Sequence, residues 1–150
     1  MNILENQHSL LPQFIQLNQA WISEYFQLEE ADHALAAHPE LIIENGGYVF
    51  CIEEQGQVLG TCALFKEDNG VFQLARMAVR KDQQGKGYAA ILMQVCLDKL
   101  QQLNAKRVYL ISNTKLSAAL RLYTKFGFQT YFEGQHPAYA RANIGMEILL

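Results

Sequence analysis

The sequence predicts an α+β fold, with a mixed, mostly antiparallel central sheet flanked by helices. Apolar residues recur at helical spacing up to Ala37, and three extended runs separated by turn signals follow between Tyr48 and Val79. Helical stripes then alternate with extended runs to the end. With 150 residues, 50% of them hydrophobic, the chain is expected to form one domain over 1–150. A domain of that size buries roughly 68–70% of its unfolded surface, enough for a core without staples.

Asn2–Glu5 reads as a short strand. Leu10, Phe14, Leu17, Trp21 and Tyr25 lie three or four apart, the stripe of an amphipathic helix, and Pro12 sits where a first turn tolerates it. A second helix is expected from Glu29 to Ala37, stopped near Pro39, and Gly46-Gly47 closes the helical region. The runs Tyr48–Ile52 and Val58–Phe65 are joined by Glu53-Glu54-Gln55-Gly56-Gln57, a hairpin signal. Asp68-Asn69-Gly70 then turns the chain into a third strand, Val71–Val79. Ala89, Leu92, Val95, Cys96, Leu100 and Leu103 mark a long helix. Val108–Ile111 is a continuous apolar run, the mark of a strand buried on both faces. Leu116, Ala119, Leu120 and Tyr123 form another helical stripe, ended by Gly127. Phe128–Phe132 and Asn143–Leu150 read as the last strands, so the order is β-α-α-β-β-β-α-β-α-β-β with one embedded crossover.

Composition narrows the function classes. A net charge of −3 makes nucleic acid a poor partner, because phosphate contacts need clustered Lys and Arg. No apolar run of about 18 residues suggests a membrane span. Met1–Leu10 carries Glu5, Gln7 and His8 without a basic start, unlike a secretory leader, so a cytoplasmic address is expected. Cys51, Cys62 and Cys96 share no C-x-x-C spacing and lie in apolar stretches, where a reduced Cys behaves as a small hydrophobe. His33 and His38 are five apart and miss the i, i+4 pairing of a zinc motif, so no metal is expected.

Most of the legible chemistry lies between Met77 and Ala89. A strand ends, a polar loop follows, and Gly85 and Gly87 open a helix. Glycines let successive backbone N–H groups converge, and at a helix N-terminus those groups and the dipole favour an anion such as phosphate. Lys81 and Lys86 add positive charge. A nucleotide P-loop needs Gly-Lys followed by Ser or Thr, but Gly87 follows Lys86. Gly85, Gly87 and Ala90 satisfy G-x-G-x-x-A. However, a dinucleotide fold wants its glycines tight against the first strand and an acidic residue ending the next, where this chain has Ser112-Asn113.

The segment Gln84-Gly-Lys-Gly87-Tyr-Ala89 resembles the Q/R-x-x-G-x-G/A signature of the GNAT superfamily, the GCN5-related N-acetyltransferases. The resemblance spans nearly the whole chain. It takes in the Met77-Ala-Val strand, the loop and helix, the strand ending Ser112-Asn113, and Leu122-Tyr-Thr-Lys-Phe-Gly-Phe128, which is similar to the family's LYxKxGF block. The ending Tyr139-Ala-Arg-Ala-Asn-Ile-Gly-Met-Glu is similar to that of stand-alone bacterial members.

That resemblance implies a GNAT fold and an enzyme that moves acetyl from acetyl-CoA to the amine of a small molecule or peptide by direct attack. It implies neither a covalent intermediate nor a metal, and admits a homodimer. Gln84, Gly85, Lys86, Gly87, Tyr88 and Ala89 would hold the pyrophosphate through main-chain N–H groups. Met77 and Val79 would offer a strand edge to the pantetheine arm, and a main-chain N–H near Ala78 or Val79 would stabilise the oxyanion. Asn113 matches the family's asparagine near the pantetheine, or simply caps the following helix. Tyr123 matches the tyrosine that protonates the CoA thiolate; by periodicity alone it is a core aromatic. Family members often carry a basic Glu on the central strand, but Phe72-Gln-Leu-Ala-Arg76 has no carboxylate, leaving Glu29, Glu30, Asp32, His136 and Tyr139 as candidates. Trp21 and Tyr25 line an acceptor pocket or belong to the core. Arg141 anchors a substrate carboxylate or forms a surface salt bridge. The alternative function is a non-catalytic acyl-CoA-binding or sensor domain of the same fold.

Overall fold

The computed structural model describes residues 1–137 and 139–150. Among them five helices form: α1 (Leu11–Tyr25), α2 (Glu30–Ala37), α3 (Leu41–Glu44), α4 (Tyr88–Gln102) and α5 (Ser117–Lys125). Seven strands join one sheet: β1 (Asn2–Glu5), β2 (Tyr48–Glu54), β3 (Gln57–Lys66), β4 (Val71–Val79), β5 (Arg107–Ser112), β6 (Gln129–Glu133) and β7 (Ile144–Leu149). The spatial order is β1-β2-β3-β4-β5-β7-β6. All neighbours are antiparallel except β4 and β5, which run parallel because α4 carries the chain back across the sheet. The α+β reading therefore holds, with the single parallel pair at the predicted crossover. No described helix is long and apolar enough to cross a membrane.

Local chemistry accounts for the joints. The β2–β3 hairpin closes through Gln55 (φ 52°) and Gly56 (φ 81°), both left-handed, as a two-residue turn matched to strand twist requires. The β3–β4 turn uses Asn69 (φ 61°) and Gly70 (φ 75°) in the same way. Glu29 precedes α2, and its backbone N–H donates to Asp32 Oδ2 at 2.7 Å, half of a capping arrangement. The one-turn helix α3, just after Pro39, was not part of the sequence expectation. It is too short to show periodicity.

The core lies on both faces of the sheet. On one face Phe50, Ile52, Leu64, Phe72 and Leu74 pack with Leu92, Met93, Cys96 and Leu100 of α4. On the other, Val49, Cys51 and Ala63 meet Leu11 and Phe14 of α1 and Ile42 of α3. Strict alternation along β2 thus fills two layers. All three cysteines are buried and free, as expected of small hydrophobes, with the Cys62 and Cys96 sulfurs 3.8 Å apart. The expectation for β5 is corrected. Val108 and Leu110 are buried, but Tyr109 and Ile111 on the opposite face are only half-buried. Tyr109 instead packs edge-on to Tyr131 at 6.4 Å.

Candidate active site

The parallel ladder between β4 and β5 is short. It pairs Val71, Phe72 and Gln73 with Arg107, Val108 and Tyr109 and then stops. Beyond it the two strands diverge around a cavity of about 560 Å³. A bulge in β4 explains the divergence. Ala63 opposes Ala75 while Thr61 opposes Ala78, so β4 carries an extra residue there, and Arg76 takes a left-handed φ of 60°. Such a bulge bends its strand and interrupts the side-chain alternation. Met77, Ala78 and Val79 form one wall of the cavity, and Leu110 to Asn113 form the wall across the gap.

One end of the cavity is closed by the glycine loop. After a 3-10 turn at Lys81–Gln83, Gly85 (φ 82°) and Gly87 (φ 83°) are both left-handed, and Gly87 caps α4 without any side-chain capping bond. From Gln84 to Ala90 no main-chain N–H donates to a protein acceptor among the described residues. A Cβ at Gly85 or Gly87 would meet no protein atom within 4 Å, so the space in front of these donors is open. The arrangement fits a phosphate-bearing group. The two nearby lysines play less part than their positions suggest. Lys81 pairs with Glu24 at 3.2 Å, and Lys86 Nζ donates to Gln83 Oε1 at 3.0 Å. Gln84 Nε2 donates back to Val79 O at 3.4 Å, and Tyr88 and Ala89 line the cavity from the first turn of α4.

Tyr123 reaches the cavity from α5. Its ring sits edge-on to Phe128 at 6.1 Å, and its hydroxyl has no hydrogen-bond partner among the described residues. Burial, reinforced by the neighbouring Cys62, pushes the phenol well above its ordinary range, so it stays protonated at neutral pH. Asn113 also lines the cavity, with both ends of its side-chain amide held by the chain. Nδ2 donates to Arg141 O at 2.7 Å, and Oδ1 accepts the Lys115 N–H at 2.9 Å, closing the turn that leads into α5.

The far end is aromatic and charged. Trp21 and Tyr25 do not join the core; they line this end, with ring centroids 5.3 Å apart and Phe26 6.2 Å from Trp21. Behind them lies a group that joins the candidates Asp32, Tyr139 and Arg141 to Arg76 and Asn18, which sequence reasoning missed. Arg76, 7% exposed, donates to Asp32 Oδ1 at 2.5 Å, to Asn18 Oδ1 at 3.3 Å and to the Tyr139 hydroxyl at 2.9 Å. Arg141 faces the same carboxylate from the other side, with Nη1 and Nη2 donating to Asp32 at 2.6 and 2.8 Å and Nη1 also to Glu29 at 3.1 Å. It is a half-buried internal ion pair, neither a surface bridge nor an unengaged anchor. By alternation Arg76 would share the α4 face with Phe72 and Leu74; the bulge turns it toward α1 and α2 instead. A charged residue at core parity, in line with Phe72 and Leu74, was the available signal.

The candidate bases fare unevenly. Burial pushes the Asp32 carboxyl up, but hydrogen bonds from Arg141, the Glu29 backbone and Arg76 outweigh it and bring the pKa to about 2. A carboxylate so held cannot take a proton near neutrality. Glu29 accepts the Ala140 and Arg141 backbone N–H groups as well as the Arg141 side chain. Glu30 and His136 do not line the cavity, whereas Tyr139 does. No Asp or Glu lines it among the described residues.

The family model for the GNAT acetyltransferase family matches residues 13–128. The chain belongs to the GNAT acetyltransferase family. Solved GNAT structures share its fold end to end. An acetyltransferase of the GNAT family from Staphylococcus aureus Mu50 aligns with a TM-score of 0.87 at 20% identity, covering 99% of this chain and 98% of that one. The ribosomal-protein-alanine N-acetyltransferase of Brucella melitensis aligns at 0.80 and 16% identity, covering 100% of both chains. The yncA protein of Salmonella typhimurium, solved with its cofactor acetyl-CoA, aligns at 0.77 and 19% identity, covering 100% of this chain and 94% of that one. No curated protein sequence matches the chain. Membership of the GNAT family carries acetyl transfer as its general chemistry.

Proposed function

We propose that this GNAT protein is an N-acetyltransferase, one domain over residues 1–150. It moves the acetyl group of acetyl-CoA to an amine by direct attack, without a covalent enzyme intermediate. The observation that carries the reading is the row of main-chain N–H groups from Gln84 to Ala90, unpaired by protein and facing open space at one end of the cavity. These donors hold the pyrophosphate without net positive charge, so an acidic chain can still bind a polyanionic substrate. The unpaired edge of β4 at Met77 and Val79 takes the amide-rich pantetheine arm as an added strand, across from Asn113. A solved relative of this fold holds acetyl-CoA, and another bears the name of an N-acetyltransferase.

The nitrogen lone pair of the acceptor forms the new C–N bond at the acetyl carbonyl. A main-chain N–H near Ala78 steadies the oxyanion, the C–S bond breaks, and the departing sulfur takes the Tyr123 proton. Burial holds the Tyr123 phenol protonated until the thiolate departs. With no carboxylate on the cavity wall among the described residues, the attacking nitrogen loses its proton to solvent, and solvent in turn reprotonates the Tyr123 phenolate.

That same feature favours a second reading, a non-catalytic acyl-CoA-binding or sensor domain. One assay separates the two. The protein is incubated with acetyl-CoA and a panel of amines while free CoA thiol is followed, with thermal unfolding recorded in parallel. Stabilisation by CoA with thiol release on at least one amine is expected. Stabilisation without turnover on any amine would establish the sensor, and stabilisation by NAD alone would sink both readings.

A further inference from the structure

Among the described residues the side-chain cations lining the cavity are Arg76, Arg141 and Lys115. The two arginines are spoken for, because Asp32 and Glu29 neutralise them from outside the cavity. Lys115 differs. It lies exposed in the turn between β5 and α5 and has no carboxylate partner among the described residues. Its Nζ donates to the Tyr25 carbonyl at 3.1 Å and sits 4.0 Å from the centre of the Phe26 ring. These contacts pin the ammonium at the C-terminal end of α1, beside the aromatic group Trp21, Tyr25 and Phe26. An ammonium has three N–H donors and Tyr25 uses one, so two stay available to a ligand.

From this arrangement we propose that the acceptor is a small amino acid with an apolar or aromatic side chain, its carboxylate held by Lys115 and its side chain against Trp21 and Phe26. The proposal rests on the acetyl-transfer reading and names the acceptor class for that same site. With both arginines neutralised, walls that carry the Lys115 ammonium and no acid among the described residues disfavour a polyamine or an aminoglycoside and favour an anion. A single unpaired ammonium beside aromatic rings matches one carboxylate next to an apolar body. Arg141, which the sequence offers as a carboxylate anchor, already spends both terminal nitrogens on Asp32. Lys115 fills that role.

The test compares proteinogenic amino acids with their amides, and with spermidine, as acceptors for the intact protein with acetyl-CoA. The amide keeps the side chain and the amine but lacks the carboxylate. Its amine is also easier to deprotonate, so chemistry alone favours it. The expected result is a kcat/KM for an apolar amino acid about tenfold or more above that for its amide, the scale of one charge-assisted hydrogen bond. Lys115→Gln should collapse that ratio, chiefly through the KM of the amino acid, and Lys115→Arg should restore most of it. Acetyl-CoA binding, followed by calorimetry on each variant, separates the two levels of failure. If acetyl-CoA does not bind, the acetyl-transfer reading falls. If it binds and spermidine or the amides are preferred, or no amino acid is acetylated, or Lys115→Gln leaves the ratio unchanged, the acceptor class is overturned alone.

Discussion

Tyr123 and Asp32 show two ways in which one side chain can dominate a site. Tyr123 keeps its hydroxyl free inside the cavity, and burial keeps it protonated. Tyr123→Phe removes only that proton donor. The variant should lose at least about tenfold in kcat, about 1.4 kcal/mol on the barrier, with CoA affinity little changed. Steady-state kinetics beside a CoA titration reads both, and an unaltered kcat would remove Tyr123 as the acid. Asp32 acts oppositely, with its charge fully committed to Arg76 and Arg141. Asp32→Asn leaves two guanidinium groups facing a neutral amide, and breaking a buried pair from one side costs roughly 3–5 kcal/mol. For a chain of this size that corresponds to a fall in Tm of about 10 °C, readable by calorimetry. Tyr123 was legible because its string of neighbours is distinctive. Arg76 was not, since its partners lie 44 and 63 positions away and nothing local names them.

Among elements, β4 and the loop that follows it position the chemistry. The bulge at Arg76 opens the cleft on one side of β4 and sends a charge to the other, two outcomes of one left-handed residue. At the loop, Gly87 serves both backbone and ligand. Gly87→Val forces a branched residue into φ 83° and sets carbon atoms before the orphaned N–H groups. The strain should cost the free protein about 1–2 kcal/mol, while stabilisation by CoA should vanish, since no donor could then approach the pyrophosphate. Thermal scans with and without CoA give both quantities. Tight binding by that variant would place the pyrophosphate elsewhere. Periodicity located every long helix and strand to within a residue or two, because each is long enough to repeat. The bulge, the single turn of α3 and the half-buried face of β5 escaped it, because each depends on what packs alongside rather than on spacing.

At the scale of the molecule, the charge network makes stability depend on acidity in one direction. Hydrogen bonds from both arginines and the Glu29 backbone hold the Asp32 carboxyl at about 2 in the folded chain, well below the ordinary aspartate range. A lowered folded pKa means the contribution is complete above about pH 4 and is lost as pH falls toward 2. Urea unfolding followed from pH 6 down to 2 should show that loss in the parent. A variant lacking the Asp32 carboxylate should have a flatter profile over the same window. A parent profile with no decline there would mean the ion pairs persist in the unfolded chain. The fold itself was legible at this scale, as one sheet with one parallel pair, because the order of elements leaves few ways to connect them. The acceptor end was less so, since it is assembled from α1, α2, the β4 bulge and the segment before β7.

The Asp32 network also has a consequence for how the molecule comes into being. Its bonds close loops of 44 positions to Arg76 and 109 to Arg141, with a third of 63 between Arg76 and Tyr139. Closures so long are entropically costly until a scaffold already holds their ends together. The glycine cradle, by contrast, is drawn from a few consecutive residues. During synthesis the glycine cradle is complete once α4 has emerged, while the acceptor end must wait for Arg141. The cradle is therefore born before the charge network that closes the opposite end.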